Sequence, residues 1–220
     1  MRPPVAGATI AAMGAARSIG FTVYTDVLCP WCYNATVTLT RVRDEVGDVL
    51  SLQWKSYLLR PQPQPRSLDA FRRYTQSWMR PAAQPDAGEF QVWSTDEPPP
   101  SHSIPPNVAV KAAARQNALE RYHLALMHAY FARNRNITDT ANLIDVAGEC
   151  GLDVDRFERD LDDASVLAEV IEDHREAISL DIHGVPCVVV EGGFQLPGAQ
   201  ERAVYKNVIA KTLERRKVLA

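Results

Sequence analysis

The chain has 220 residues, of which 46% are hydrophobic and 23% are charged, so it can bury a core and is not disordered as a whole. Its 24 lysine and arginine residues against 27 aspartate and glutamate residues give a net charge of -3. This balance argues against a nucleic-acid-binding protein, which would carry a basic excess. No apolar stretch approaches the roughly 18–20 residues that a membrane-spanning helix needs, so we expect no membrane interaction.

Residues 1–18 are rich in alanine and contain Pro3 and Pro4. A secretory signal peptide needs a basic start, an apolar run and a small-residue cleavage site. Arg2 fits this pattern loosely, but the two prolines and the absence of leucine and phenylalanine fit it badly. We therefore predict a flexible extension rather than a signal peptide, and with it a cytoplasmic location.

The first predicted elements are a strand, a helix and a second strand. Residues 20–25 combine β-branched and aromatic side chains, which is typical of a strand. Residues 30–46 have apolar positions compatible with a helix, and residues 49–57 alternate with their large apolar side chains on one face. The connection through a helix favours a parallel pair of strands.

The middle of the chain is predicted to be helical after a long proline-rich loop. Residues 60–106 hold one short helix at 68–79, and a loop of this length usually lies across a functional face. Residues 107–135 are predicted as one long helix with Asn107 as its N-cap, because apolar residues recur at three- and four-residue steps. Further helices are predicted to begin at Asp139, Asp153 and Ser165.

The carboxyl end returns to a β pattern. A Gly-Val-Pro tripeptide ending at Pro186 leads into the apolar run CVVV, which suits a buried strand. The Gly-Gly pair at 192–193 indicates a hairpin turn, and residues 199–216 are predicted as a final amphipathic helix. The predicted order is strand–helix–strand, a helical block, then strand–strand–helix, which belongs to the α/β class.

The segment Cys29-Pro30-Trp31-Cys32 lies where the first strand gives way to the first helix. A cysteine at a helix N-terminus lies near free N–H groups and the positive end of the helix dipole, which favour the thiolate. Pro30 is tolerated in the first turn because no N–H is needed there. We therefore predict Cys29 as an exposed attacking thiolate and Cys32 as a shielded thiol that resolves the mixed disulfide. Trp31 would form an apolar rim for partners.

A zinc site is the main alternative for this cysteine pair. A structural zinc usually takes two such pairs, or one pair with closely spaced histidines. Cys150 and Cys187 are not spaced as a second pair, and His123 and His128 lie inside a predicted helix. The strand–turn–helix context favours redox chemistry, and we expect no bound metal.

Three further positions each leave two interpretations open. The Val185–Pro186 bond precedes a buried strand, where cis and trans are about equally plausible. Asp26 either modulates the thiols or is a solvated acid at a strand end, which is the commoner case. Cys187 is either a buried strand cysteine, the commoner case, or a third thiol near the active site.

The chain resembles the DsbA-like thioredoxin-fold oxidoreductases, most closely the FrnE-type branch, from about residue 20 to residue 215. The motifs that carry the resemblance are Asp26 with Cys29-Pro30-Trp31-Cys32-Tyr33, His128-Ala129-Tyr130-Phe131, Ile137-Thr138-Asp139, Gly184-Val185-Pro186 and Pro197-Gly198-Ala199-Gln200. Cys187 departs from the family, which more often has a residue without a thiol there. The resemblance implies a thioredoxin fold interrupted by an all-helical insertion domain, with residues 19–60 and 181–220 in the thioredoxin-like domain and residues 61–180 in the insertion.

The resemblance also implies a function. It implies thiol–disulfide exchange by Cys29 and Cys32 with protein or small-molecule thiols, and a cis-proline loop at Val185–Pro186 facing them. No cofactor would be bound, and glutathione or a similar thiol would be the redox partner. The alternative is a glutathione-dependent isomerase or transferase of the 2-hydroxychromene-2-carboxylate isomerase or kappa class, which typically has serine in place of the first cysteine. A peptide-holding assembly factor and a homodimer both stay open.

Overall fold

The computed structural model describes residues 18–219, so the predicted extension, apart from Ser18, lies outside the described residues. In chain order the elements are β1 (Ile19–Thr25), α1 (Pro30–Val46), β2 (Leu50–Ser56), α2 (Leu68–Thr75), α3 (Met79–Ala82), α4 (Ile104–Ala114), α5 (Leu119–Phe131), α6 (Thr140–Glu149), α7 (Val154–Leu161), α8 (Ala164–Ser179), β3 (Cys187–Val190), β4 (Phe194–Pro197) and α9 (Arg202–Leu219). Short 3-10 turns occupy Gly47–Val49 and Gln76–Trp78. Residues 57–186, all of them described, contain helices and no strand. The predicted order and the α/β class are confirmed.

The four strands form one mixed sheet in the order β2-β1-β3-β4. β1 and β2 are parallel, as predicted, with Ile19 opposite Leu50 and Thr25 opposite Ser56. β3 runs antiparallel to both β1 and β4. The β3–β4 hairpin turns through two glycines at 192–193, whose positive φ angles of 86° and 88° favour residues without a Cβ.

The faces of the sheet are covered by helices from both ends of the chain. Apolar residues of β1 and β3 pack with Leu39 of α1 and with Tyr205 and Ile209 of α9 in one cluster. α8 packs against β2 from the helical block. Among the described helices, none is long and apolar enough to span a bilayer.

The prediction of one long helix over residues 107–135 is wrong. The chain forms α4 and α5, separated by a turn in which Asn117 adopts a φ of 56°. Asparagine tolerates this left-handed conformation, which a continuous helix cannot contain. Asn107 is not an N-cap but a buried residue inside α4, whose N-cap is Ser103. Two prolines follow Ser103 closely, in the first turn, where their missing N–H groups are not needed.

The fold brings distant parts of the chain to one edge of the sheet. β1 and β2 both end at this edge, and β3 begins there, since Tyr24 lies opposite Cys187. The turn after β1, the segment after β2 and the loop before β3 therefore meet. The residues that the sequence marks as functional lie in the turn after β1 with the start of α1, and in the loop that leads into β3.

Candidate active site

The Cys-Pro-Trp-Cys segment forms the start of α1. Cys29 is the N-cap, with φ −94° and ψ 116°, and its Sγ accepts a hydrogen bond from Cys32 N at 3.2 Å. Pro30 is the first helical residue, and the first turn of this helix has no acidic side chain. The helix therefore directs a backbone N–H at the sulfur, which stabilises a negative charge there. Trp31 is 39% exposed and lies at the surface of the site.

The prediction that Cys29 is exposed is wrong, because only 4% of the residue is accessible. The loop before β3 covers it, and the thiol of Cys29 donates a hydrogen bond to Val185 O at 3.5 Å. Cys32 is fully buried. Burial, followed by the hydrogen bond and charge interaction with Cys29, raises the pKa of the Cys32 thiol well above its usual range. The two thiols therefore differ, since Cys29 keeps a small accessible area and Cys32 has none.

The covering loop contains a cis peptide bond between Val185 and Pro186. Pro186 O accepts a hydrogen bond from Gly198 N at 2.7 Å, which places the segment before α9 beside this loop. A surface cleft of about 430 Å³ is lined by residues 181–187 together with Gln195, Pro197 and Gly198. Because Val185 both lines this cleft and contacts Cys29, the cleft adjoins the thiol site.

The other two cysteines are Cys150 and Cys187, and all four cysteines are free thiols. Cys187 is buried at the start of β3, in a cluster with Tyr24 and Tyr57 that is distinct from the cluster of Cys29 and Cys32. Burial raises the pKa of Cys187. Cys150 is half-buried at the end of α6, and partial burial raises its pKa also. Within residues 18–219, no three His, Cys, Asp or Glu side chains are grouped to hold a metal ion.

Asp26 is fully buried, so the interpretation as a solvated acid is wrong. Its Oδ1 accepts hydrogen bonds from Leu28 N at 3.0 Å and from Asn107 Nδ2 at 3.3 Å. Its Oδ2 accepts from Leu59 N at 2.8 Å and from Ser103 Oγ at 2.5 Å. A buried carboxylate requires such donors, and four of them surround this one. No sequence motif marks Ser103 or Asn107, and sequence reasoning missed both.

Asp26 acts electrostatically on Cys32. Burial raises the pKa of Asp26, and its hydrogen bonds, first that from Ser103, oppose the rise. The charge of Asp26 is also among the causes that raise the pKa of Cys32. A carboxyl group and a thiol whose pKa values are both raised, close together inside the protein, are suited to exchanging a proton.

Part of the proline-rich segment lies against the residues that follow Cys32. Asn34 donates to Pro81 O at 2.8 Å and accepts from Gly88 N at 3.1 Å. The ring of Tyr33 stacks on Phe131 of α5, with centroids 5.4 Å apart and planes 10° apart. These contacts fix the first turns of α1 against the helical block.

The chain is similar in sequence to one family and to a curated protein. The model of the family described as DSBA-like thioredoxin domain matches residues 21–210. The ClpXP adapter protein SpxH of Bacillus subtilis is 22% identical over 203 residues, which cover 87% of this chain and 66% of that protein. The chain thus spans slightly less than two thirds of the length of this relative.

Solved structures share the fold. A candidate protein disulfide isomerase from Nitrosomonas europaea has a TM-score of 0.78 at 14% identity, covering 90% of this chain and 98% of that one. The cytosolic disulfide reductase DsbM from Pseudomonas aeruginosa has a TM-score of 0.69 at 21% identity, covering 91% of this chain and 100% of that one. DsbM with GSH has a TM-score of 0.68 at 20% identity, covering 90% and 98%.

Proposed function

The chain belongs to the DsbA-like thioredoxin domain family, a family of thiol–disulfide oxidoreductases, and we propose that it exchanges disulfides through Cys29 and Cys32. The observation that carries the proposal is the position of Cys29. Its sulfur caps α1 and accepts the N–H of Cys32, the second cysteine, one turn further on. This arrangement suits a nucleophilic thiolate with a resolving thiol beside it.

In the reducing direction, the Cys29 thiolate attacks one sulfur of a partner disulfide. The S–S bond of the partner breaks, one partner sulfur leaves as a thiolate, and the other stays bound to Cys29 in a mixed disulfide. Cys32 then loses its proton and attacks the sulfur of Cys29, which forms the Cys29–Cys32 disulfide and expels the second partner thiolate. The partner gains two electrons, which the dithiol loses, and the reverse sequence oxidises a partner.

Cys32 must be deprotonated before it can attack, yet it is fully buried and its pKa is raised. A proton acceptor inside the protein is therefore needed. Asp26 is the buried carboxyl whose charge interacts with Cys32, and its own raised pKa suits it to this task. We assign it the role of proton acceptor in the resolving step and proton donor in the reverse step.

A small thiol such as glutathione would recycle the dithiol, acting as a redox partner and not as a bound cofactor. Two observations support this choice. The cleft of about 430 Å³ beside Val185 adjoins Cys29, and the structural neighbour DsbM was solved with GSH. DsbM is a cytosolic disulfide reductase by name, in keeping with the cytoplasmic location proposed for this chain.

Two serine substitutions test the proposal with insulin as disulfide substrate and glutathione as reductant. We expect Cys29→Ser to reduce turnover to background, because the attacking sulfur is missing. Cys32→Ser should instead accumulate a mixed disulfide on Cys29, visible as a mass increase in intact-protein mass spectrometry. Cys150→Ser is the matched control and should behave like the wild type.

Full turnover by Cys29→Ser would refute dithiol exchange. Activity that survives Cys32→Ala, together with saturable glutathione binding, would favour the glutathione-dependent isomerase or transferase instead. Peptide binding that is indifferent to both cysteines would favour an assembly factor.

A further inference from the structure

The backbone that leaves β2 is held at five consecutive N–H groups. The bonds are Ser56 N to Asp173 Oδ2 (3.0 Å), Tyr57 N to Thr25 O (2.8 Å), Leu58 N to His174 Nδ1 (3.3 Å), Leu59 N to Asp26 Oδ2 (2.8 Å) and Arg60 N to Ser103 Oγ (3.0 Å). Two of these acceptors are adjacent residues of α8, in the helical block. One is the buried carboxyl of the active site. This segment, residues 56–60, therefore connects α8 to Asp26 through its backbone hydrogen bonds.

Side-chain packing fixes α8 against the same segment. Leu58 is buried in a cluster with Val166 and Val170. Ala177 is buried in the cluster that contains Tyr57. These residues of α8 recur at four- and seven-residue steps, so they lie on one face of the helix. Asp173 and His174 lie between Val170 and Ala177 and are thereby held at the segment.

Asp173 and His174 contact the segment in different ways. Asp173 is also paired with Lys111 at 2.5 Å and with Lys55 at 3.7 Å, so its charge is compensated. His174 accepts the N–H of Leu58 through Nδ1, so the neutral ring carries its proton on Nε2. Its ring also packs edge-on against Tyr57, with centroids 4.8 Å apart. The ring is therefore oriented by two contacts.

Resting on the function proposed above for Asp26, we propose that His174 is a positioning residue for the proton-transfer step. Its Nδ1 holds the N–H of Leu58, and this fixes the direction of the next N–H, that of Leu59, toward Asp26 Oδ2. Without an acceptor at this place, the N–H of Leu58 is left unpaired at a buried position. The segment would then shift and weaken the hydrogen bond from Leu59 to Asp26.

A weaker bond from Leu59 has a definite chemical consequence. Hydrogen bonds to a carboxylate stabilise the charged form, so losing one raises the pKa of Asp26 further. A smaller fraction of Asp26 is then ionised at any pH near its folded-state pKa, so the pH range in which Cys32 loses its proton to Asp26 moves upward. The titratable groups that interact with Asp26 are Cys32 of α1 and His174 of α8. The charged groups next to His174 are the preceding residue, Asp173, and the two lysines paired with it, Lys55 and Lys111.

The test measures the resolving step by itself. The reduced protein is mixed with 5,5′-dithiobis(2-nitrobenzoate), and release of the first coloured thiolate reports attack by Cys29. The half-buried free thiol of Cys150 would release the same coloured thiolate, so every protein in this assay, the wild-type reference included, carries Cys150→Ser. Release of the second thiolate then reports attack by Cys32 on the mixed disulfide. Both rates are followed from pH 5 to pH 9 in the wild type and in His174→Leu, His174→Asn and His174→Gln. Asp26→Asn is included as the reference for loss of the proton acceptor.

The three substitutions differ in whether the new side chain has a hydrogen-bond acceptor for Leu58 N, and in where that acceptor lies. Asparagine places an amide oxygen near the position of Nδ1, whereas leucine has no acceptor and glutamine carries its oxygen further out. We expect His174→Leu and His174→Gln to shift the pH profile of the second release to higher pH by roughly 0.5–1 pH unit, which slows the release about 3- to 10-fold at pH values below the midpoint of the wild-type profile. His174→Asn should stay close to the wild type, and the first release should be similar in all variants.

Each of the other possible results contradicts either the role of His174 or the role of Asp26. If His174→Leu and His174→Gln resolve like the wild type while Asp26→Asn is slow, the positioning role of His174 is wrong and the function of Asp26 stands. If His174→Asn is as slow as His174→Leu, the acceptor is not what matters, and the inference is again wrong. If Asp26→Asn resolves normally, the proton-acceptor role and the inference fail together. Should His174→Leu not fold, the glutamine and asparagine variants give the same comparison.

Discussion

Gly88 passes so close to the residue after Cys32 that it cannot carry a side chain. A Cβ added at Gly88 would lie 2.4, 2.6 and 2.8 Å from three atoms of the Tyr33 ring, where ordinary contacts measure 3.4–4 Å. The ring has little room to retreat, because it stacks on Phe131 and meets Phe90 edge-on, each with centroids 5.4 Å apart. Gly88→Ala therefore forces the loop or the ring to move by roughly 1 Å.

We expect Gly88→Ala to lower the free energy of unfolding by about 1–3 kcal/mol, the usual penalty for overpacking a filled site. At about 2–4 °C per kcal/mol for a domain of this size, the melting temperature should fall by about 2–12 °C. Circular dichroism during thermal unfolding measures the change. Disulfide exchange at 25 °C should be retained, because both cysteines and Asp26 are unchanged.

Gly148→Ala is the matched control for this substitution. Gly148 lies within α6, and its added Cβ would meet only Val154 Cγ2 at 3.8 Å, an ordinary contact. Alanine favours a helix over glycine by about 0.5–1 kcal/mol, so this variant should melt at the same or a higher temperature than the wild type. If Gly88→Ala proved as stable as Gly148→Ala, the tight packing of Tyr33 would be refuted.

Two further predictions concern the buried groups of the site. Burial raises the pKa of Asp26 above its ordinary value of 3.8, so its contribution to stability is fully present below that pH and is lost as the pH rises through the folded-state pKa. Asp26→Asn should remove this decline, worth about 1.4 kcal/mol per pKa unit, in unfolding free energies measured from pH 4 to pH 8; an unchanged slope would contradict it. Since Cys29 is only 4% accessible, the rate of alkylation by small iodoacetamide divided by the rate with a bulky maleimide should be larger at Cys29 than at the half-buried Cys150. Peptide mass spectrometry measures both ratios, and equal ratios would show that the loop does not restrict access.

Local patterns identified most of the secondary structure and the cysteine pair at the start of α1. The C-x-x-C spacing with Pro30 at a strand–helix junction predicted the N-cap position of Cys29, which depends only on neighbouring residues. The alternation over residues 49–57 predicted the strand β2, and its connection to β1 through a helix predicted their parallel pairing. The glycine pair at 192–193 predicted the hairpin. The break between α4 and α5 was missed, because a single asparagine in a left-handed conformation is not visible in the spacing of apolar residues.

The sequence by itself therefore determined the features that depend on residues close together in the chain. These are two cysteines one helical turn apart, the strands and the helix around them, and a proline before a buried strand. Only the tertiary structure decided how accessible the two cysteines are, and burial is the largest cause that raises the pKa values of Cys32 and Asp26. Cys29 is covered by a residue 156 positions away, and three of the four donors to Asp26 are 33, 77 and 81 positions away. Burial and hydrogen bonding set the ionisation of a buried group, and both are made by contacts that no local pattern encodes.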